Sequence, residues 1–260
     1  NLRQNAVEEL CSDTVLRGEA MEYLSGIRDV ERLMSRVVYG TASARDLNAV
    51  AQTAHRFPIL KGLLSAVNCK MLKEIYSDID TLEDIAELID NAIDDDPPFS
   101  VREGGLIKKG YSQELDMLRG DMNSGTSFLS EIEIRERERT GIKNLRVRYN
   151  KVFGYYIEVT NSFLDKVPED YIRKQTLTNC ERFVTEELKD IEKRVLTAKD
   201  RIVQLEYEIF DAVRKKTADE LKRFQKTAAA IARLDALCSL AEVSVNNRYC
   251  RPLVNNSGTI

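Results

Sequence analysis

The chain has 260 residues, with 39 basic and 43 acidic side chains and a formal net charge of −4. Its 43% apolar fraction is ample for a core and excludes global disorder. No apolar run approaches the roughly 18 residues of a membrane span, and Asn1-Leu2-Arg3-Gln4 carries no apolar leader.

With 12 Gly, 5 Pro and 32% charged residues, the balance favours long solvated helices. The missing initial Met leads us to expect an internal piece of a longer chain. His55 stands alone, which removes His-based zinc sites; a helix-surface role is expected for it. The cysteines Cys11, Cys69, Cys180, Cys238 and Cys250 form no C-x-x-C pair and are odd in number. That usage fits a reducing, cytoplasmic compartment. Gly104-Gly105-Leu106-Ile107-Lys108-Lys109-Gly110 is followed by Tyr111, so it misses the phosphate-loop pattern and reads as a loop between helices. No catalytic set, metal set or cofactor motif emerges, so an enzyme is the disfavoured class for this segment.

Residues 1–93 read as several short helices. Apolar spacing places one over Ile27-Val30-Leu33-Met34-Val37. Thr41-Ala42-Ser43 starts another through Leu47, Val50 and Ala54, and Pro58 breaks it. A third covers Thr81 to Ala92, with Leu82, Ile85, Leu88 and Ile89 on one face. Asp94-Asp95-Asp96-Pro97-Pro98 is a stop and a solvated turn without cation-ligand spacing.

Two long helices follow. Tyr111 to Arg139 sets Leu115, Leu118, Met122, Leu129 and Ile132 at alternating three and four spacing, with Gly125 at the missing position. Glu186 to Lys216 repeats the spacing through Leu188, Ile191, Val195, Ala198, Ile202, Leu205, Ile209 and Ala212. Thr185 suits its N-cap. Two such seams can bury each other as an antiparallel pair.

Between them, about Gly141 to Val184, the period changes to two. Leu145 to Tyr149 and Tyr156 to Thr160 alternate, with a turn at Asn150-Lys151 and Gly154. A third strand is expected over Tyr171 to Leu177, turning at Asn179 into Arg182-Phe183-Val184. Carried on a rod, both turns can point away from the long helices. From Arg139 to Arg182 there are nine basic and five acidic residues, a net +4 on a chain whose total is −4. A basic β tip on an acidic helical body is the footprint of a phosphate-backbone reader. The competing reading is a structural coiled-coil module whose β insert binds another protein.

Asp219 to Val245 is a further amphipathic helix, and Tyr249 to Gly258 falls outside the helical pattern. The expected fold is mainly α: a helical core, two long antiparallel lever helices and a small inserted antiparallel β-sheet. The expected parts are residues 1–140, core and descending lever; 141–184, β insert; 185–247, returning lever and core helix; and 248–260, the start of another domain.

Arg135-Glu136-Arg137-Glu138-Arg139-Thr140-Gly141-Ile142 and Tyr149-Asn150-Lys151-Val152-Phe153-Gly154-Tyr155-Tyr156-Ile157-Glu158-Val159 resemble the clamp of the MutS family of DNA mismatch-repair proteins. Gln175 to Phe183 is similar too, with Cys180 where the family usually has Ala. Leu33 to Val37 with Gly40-Thr41-Ala42 resembles the family's helical core, and Tyr249 to Gly258 the entry strand of its ATPase domain. The resemblance implies bacterial origin and a clamp touching the double-stranded DNA backbone without sequence preference. It also implies lever helices that couple this contact to an ATPase domain outside these residues. Family contacts carry over to Asn150 and Asn179; Arg146, Arg148, Lys151, Arg173 and Lys174 are the neighbouring basic candidates. Some members carry Lys where this chain has Thr178, and no contact is carried over there. For the full-length protein the resemblance implies ATP and Mg as cofactors, a second subunit in a homodimer, a MutL-type repair partner, and a cytoplasmic, nucleoid-associated location with no membrane.

Overall fold

The computed structural model describes residues 1–150 and 154–253; of residues 121 and 123–127 only the helical backbone is described. The Gly125 seam position and residues 254–260 of the expected entry strand therefore lie outside the described side chains and residues. The helices are α1 (Leu2–Ser12), α2 (Thr14–Ser25), α3 (Val30–Val38), α4 (Ala44–Ala54), α5 (Phe57–Leu63), α6 (Lys70–Asp78), α7 (Glu83–Ala92), α8 (Gln113–Thr140), α9 (Glu186–Asp219) and α10 (Leu221–Asn246). The strands are β1 (Arg146–Asn150), β2 (Gly154–Thr160), β3 (Ile172–Thr176) and β4 (Cys180–Val184). This is the mainly α fold with a small β insert that the periodicities imply. No helix among the described residues is long and apolar enough to cross a membrane.

Two compact units divide the chain: Asn1–Lys108 with Tyr207–Ile260, and Lys109–Glu206. The first is all helical apart from an isolated bridge between Ile93 and Ile107. Its helices start where side chains supply the missing acceptors. Asp29 accepts from Arg32 N at 2.9 Å, and Ser43 and Asp46 form a reciprocal capping box. The predicted restart at Ser43 is this cap. Pro58 sits in the first turn of α5, where its missing N–H costs nothing. Leu82 differs from expectation: it precedes α7 in the left-handed region, φ 52°, and is fully buried. The Asp94 to Asp96 turn is solvated as expected, with Asp95 paired to Lys108 at 2.6 Å and Asp96 to Arg45 at 3.4 Å. His55 is exposed and bonded to Asp90 at 2.6 Å.

The second unit pairs α8 with the first part of α9. Thr185 Oγ1 accepts from Leu188 N at 3.2 Å, as the predicted cap. Leu115, Leu129, Ile132, Leu188, Ile191, Ile202 and Leu205 are buried. Glu114 meets Arg201 at 3.1 Å, Arg119 meets Glu206 at 2.6 Å, and Arg135 meets Glu187, so the helices run antiparallel. Past Leu205 the seam departs from the heptad. Phe210, Val213 and Thr217 are buried, while Ala212 is exposed. From Tyr207 onward α9 belongs to the first unit, whose surroundings select a different stripe.

In the first unit Arg223 bridges α10 to Asp80 and Asp84, with four contacts of 2.8 to 3.0 Å. The Arg223 guanidinium holds both carboxyls below the usual carboxylate range. Lowered carboxyl values add stability that is present above the unfolded pKa near 4 and is lost as pH falls through the folded values. Arg223→Ala is expected to cost about 1–2 kcal/mol at pH 7, the partly exposed groups keeping this modest. Thermal unfolding of both proteins from pH 7 to pH 3 checks this: the difference should shrink below about pH 4.

Candidate nucleic-acid interface

The sheet order is β1-β2-β4-β3, all antiparallel. Alternation gives it two unlike sides. Val147, Ile157, Val159 and Phe183 turn inward onto Leu129, Ile132, Leu188 and Ile191 of the two helices. Arg146, Arg148 and Asn150 take the opposite parity on β1, and the register sets them across from Glu158, Tyr156 and Gly154. Arg182 joins them from β4, opposite Glu158.

This outward side is an arginine face built around one carboxylate. Glu158 lies 3.7 Å from Arg148 Nε and 3.5 Å from Arg182 Nε. Arg182 is further fixed: it donates to Gln175 Oε1 at 2.8 Å and stacks 4.5 Å over the Tyr156 ring. Arg146 makes no ion pair among the described residues and is exposed. Alternation marks Arg182 only weakly, because β4 is short and its partners are set by register.

The remaining candidates stand elsewhere. Arg173 opposes Phe183, on the other side of the sheet, and pairs with the buried Glu181 at 2.9 Å. Lys174 sits at the register shift between Arg173 and Gln175; it is exposed and has no ionic partner among the described residues. Asn179 is exposed in the β3–β4 turn, where Leu177 N donates to Cys180 O at 2.9 Å and Asn179 O accepts from Asn161 N at 3.2 Å. Lys151 lies outside the described residues.

The register corrects one expectation. Asn150 pairs with Gly154 at the start of β2, whereas Cys180, next to Asn179, pairs with Thr160 at its end. The two turns cannot share one tip; they stand about 20 Å apart along β2 at the usual rise per residue. The Gly154 end lies against α9, where Glu192 sits close to the Gly154 backbone.

The arginines of Arg135 to Arg139 have structural work instead. Glu136 occupies the α8 seam and is buried. It accepts from Tyr171 Oη at 2.9 Å and Arg139 Nε at 2.9 Å, and Arg139 also reaches Asp170 at 3.0 Å. Burial and the neighbouring Glu136 push the Tyr171 phenol above its ordinary range. Arg137 donates to Leu145 O at 2.7 Å, and Glu133 accepts from Val147 N at 2.8 Å. Gly141, φ 67°, ends α8 in the left-handed region.

Residues 110–201, which contain this sheet, all of α8 and the first part of α9, match the model of MutS family domain IV. The whole chain aligns with mismatch-repair proteins. It is 48% identical over 99% of its length to DNA mismatch repair protein MutS of Lachnoclostridium phytofermentans, covering 28% of that protein. The figures are 49%, 99% and 30% for the MutS of Acetivibrio thermocellus, and 50%, 97% and 28% for that of Methanosarcina acetivorans. The chain belongs to the MutS family. It spans about three tenths of the length of these curated relatives.

The Gly-rich stretch of this MutS segment does not form a phosphate loop. Lys108, one of the two lysines of that stretch, is paired with Asp95, and Gly104 and Gly105 do not open a helix; α8 starts only at Gln113. No group of three or more metal-ligating side chains occurs among the described residues.

Two substitutions test how the sheet is held. Tyr171→Phe removes a donor from a buried carboxylate and should cost about 1–3 kcal/mol in urea unfolding. Gly154 has φ +73°, and an added Cβ would clash with the Glu192 carboxylate. The side chain can swing away, but the backbone strain stays. Gly154→Ala should therefore cost about 1–2 kcal/mol, and adding Glu192→Ala should recover little of it.

Proposed function

We propose that this MutS segment is the lever-and-clamp part of a mismatch-repair protein, and that its sheet binds the double-stranded DNA backbone without reading sequence. The observation that carries this reading is the outward face, where Arg146, Arg148 and Arg182 surround a single acid. Guanidinium forks match phosphate oxygens in bidentate geometry, and neutralising phosphates releases counterions. Arg146, Arg148 and Asn150 contact one stretch of backbone in this scheme; Lys174 and Asn179 contact another. Arg173 acts through Glu181, which it neutralises, and Lys151, next after Asn150 in sequence, adds a positive charge.

On the same reading the segment itself is not an enzyme. The whole protein supplies an ATPase domain with ATP and Mg, a second subunit and a MutL-type partner, and works in the cytoplasm at the nucleoid. The long helices pass the state of the clamp to that ATPase.

The test compares wild type with Arg146→Gln/Arg148→Gln and with Lys174→Gln on matched and mismatched duplexes, by fluorescence anisotropy across a salt series. Each lost phosphate contact should lower the salt slope by about one and weaken both duplexes alike. Binding without salt dependence would favour a protein-interaction module instead. Loss confined to mismatched DNA would make these residues lesion readers.

A further inference from the structure

Glu158 is the only acid that the four described strands place on the arginine face. Its side chain is only 20% exposed. Arg182, equally enclosed at 19%, is pinned by Gln175 and Tyr156, so it cannot swing away to follow another anion. The carboxylate oxygens stand 3.5 and 3.7 Å from the two Nε atoms. Charge-assisted hydrogen bonds are shorter, about 2.7–2.9 Å. Glu158 therefore neutralises these guanidiniums by proximity and leaves their donors unsaturated. Arg146 stands opposite Glu158 in the register but makes no ion pair with it.

We infer that Glu158 is an internal competitor for the anion that this face takes, a carboxylate standing where a phosphodiester oxygen would sit. This rests on the backbone-binding reading above and adds its regulation. An incoming phosphate meets arginines already fixed in direction but partly neutralised, and must share or displace Glu158. Affinity is thereby held low and exchange fast, as a surface that must release DNA requires. Arg173 and Glu181 form a contrasting pair: at 2.9 Å, with Glu181 buried, they are locked together and offer nothing to exchange.

The experiment titrates the whole chain, wild type and Glu158→Gln, with a duplex of mixed sequence at about 50 and 200 mM salt, the range in which phosphate contacts show. Glu158→Gln should bind about three- to five-fold tighter at the lower salt, with a slope steeper by about one, because its arginines now carry counterions to release. Glu158→Asp keeps the charge and should keep the wild-type slope. In an Arg148→Gln/Arg182→Gln background the gain from Glu158→Gln should vanish. A gain that persists there would reflect net charge alone and overturn the inference. So would unchanged or weaker binding by Glu158→Gln with its circular dichroism intact, while Arg148→Gln still loses affinity; backbone binding by the face would then stand without a competitor. No binding by wild type or Glu158→Gln at either salt would overturn the backbone reading itself, and this inference with it.

Discussion

The second unit depends on a charge placed where an apolar residue is expected. Glu136 follows Leu129 and Ile132 along the α8 seam, and it is as buried as they are. A buried carboxylate without partners costs several kcal/mol, so the chain is stable only when its donors arrive together. Tyr171 comes from just before β3 and Arg139 from the last turn of α8. This requirement fixes where the helix stops and which end of the sheet lies against it. Arg137 and Glu133 then hold Leu145 O and Val147 N, which sets how β1 begins. A slip of one residue there would turn Val147 outward and Arg146 and Arg148 into the core. The orientation of the arginine face is therefore a consequence of the helix-to-sheet junction.

Much of this was legible in the sequence because it is periodic. The heptad from Leu188 to Leu205, the alternation of Arg146-Val147-Arg148 and the caps at Ser43 and Thr185 are local patterns, and local patterns survive folding. The misses are non-local. Ala212 continues the heptad on paper, but Phe210 and Val213 are buried because the helix has entered other surroundings. Nothing in the order of residues says that β2 pairs with β4 before β3, so the separation of Asn150 from Asn179 could not be read. Leu82 looks like a helix-face residue and is a buried left-handed one, a conformation that only its packing explains. The arginines of 135–139 tie the end of α8 to Glu187, Leu145 and Asp170, contacts that no local pattern marks.

The same distinction changes the meaning of the net +4. Counted along the chain, every base of the insert is equivalent. In the structure Arg139 is committed to Glu136 and Asp170, and Arg173 to Glu181, while Arg148 and Arg182 share Glu158 loosely. Arg146 and Lys174 have no ionic partner among the described residues. Distance and burial, more than count, decide which cations can meet a phosphate, because a short pair around a buried acid cannot be broken without stranding that acid.

Packing along the two helices is uneven in a way that bears on the sheet. Near the sheet, Leu129, Ile132, Leu188 and Ile191 are buried with the strands' inner side. At the other end, Leu115, Ile202 and Leu205 are buried, and Arg119 pairs with the buried Glu206. Between these ends Leu118, Met122, Val195 and Ala198 are only half-buried and line an open cleft of about 750 Å³. Side chains facing open space lose dispersion contacts on that side, and local opening is easiest where buried apolar area is least. The sheet carries its own core and its own polar ties, so its geometry is set by residues close to the strands and not by those lining the cleft. The spacing of the guanidiniums around Glu158 follows from the strand register and from the junction that starts β1.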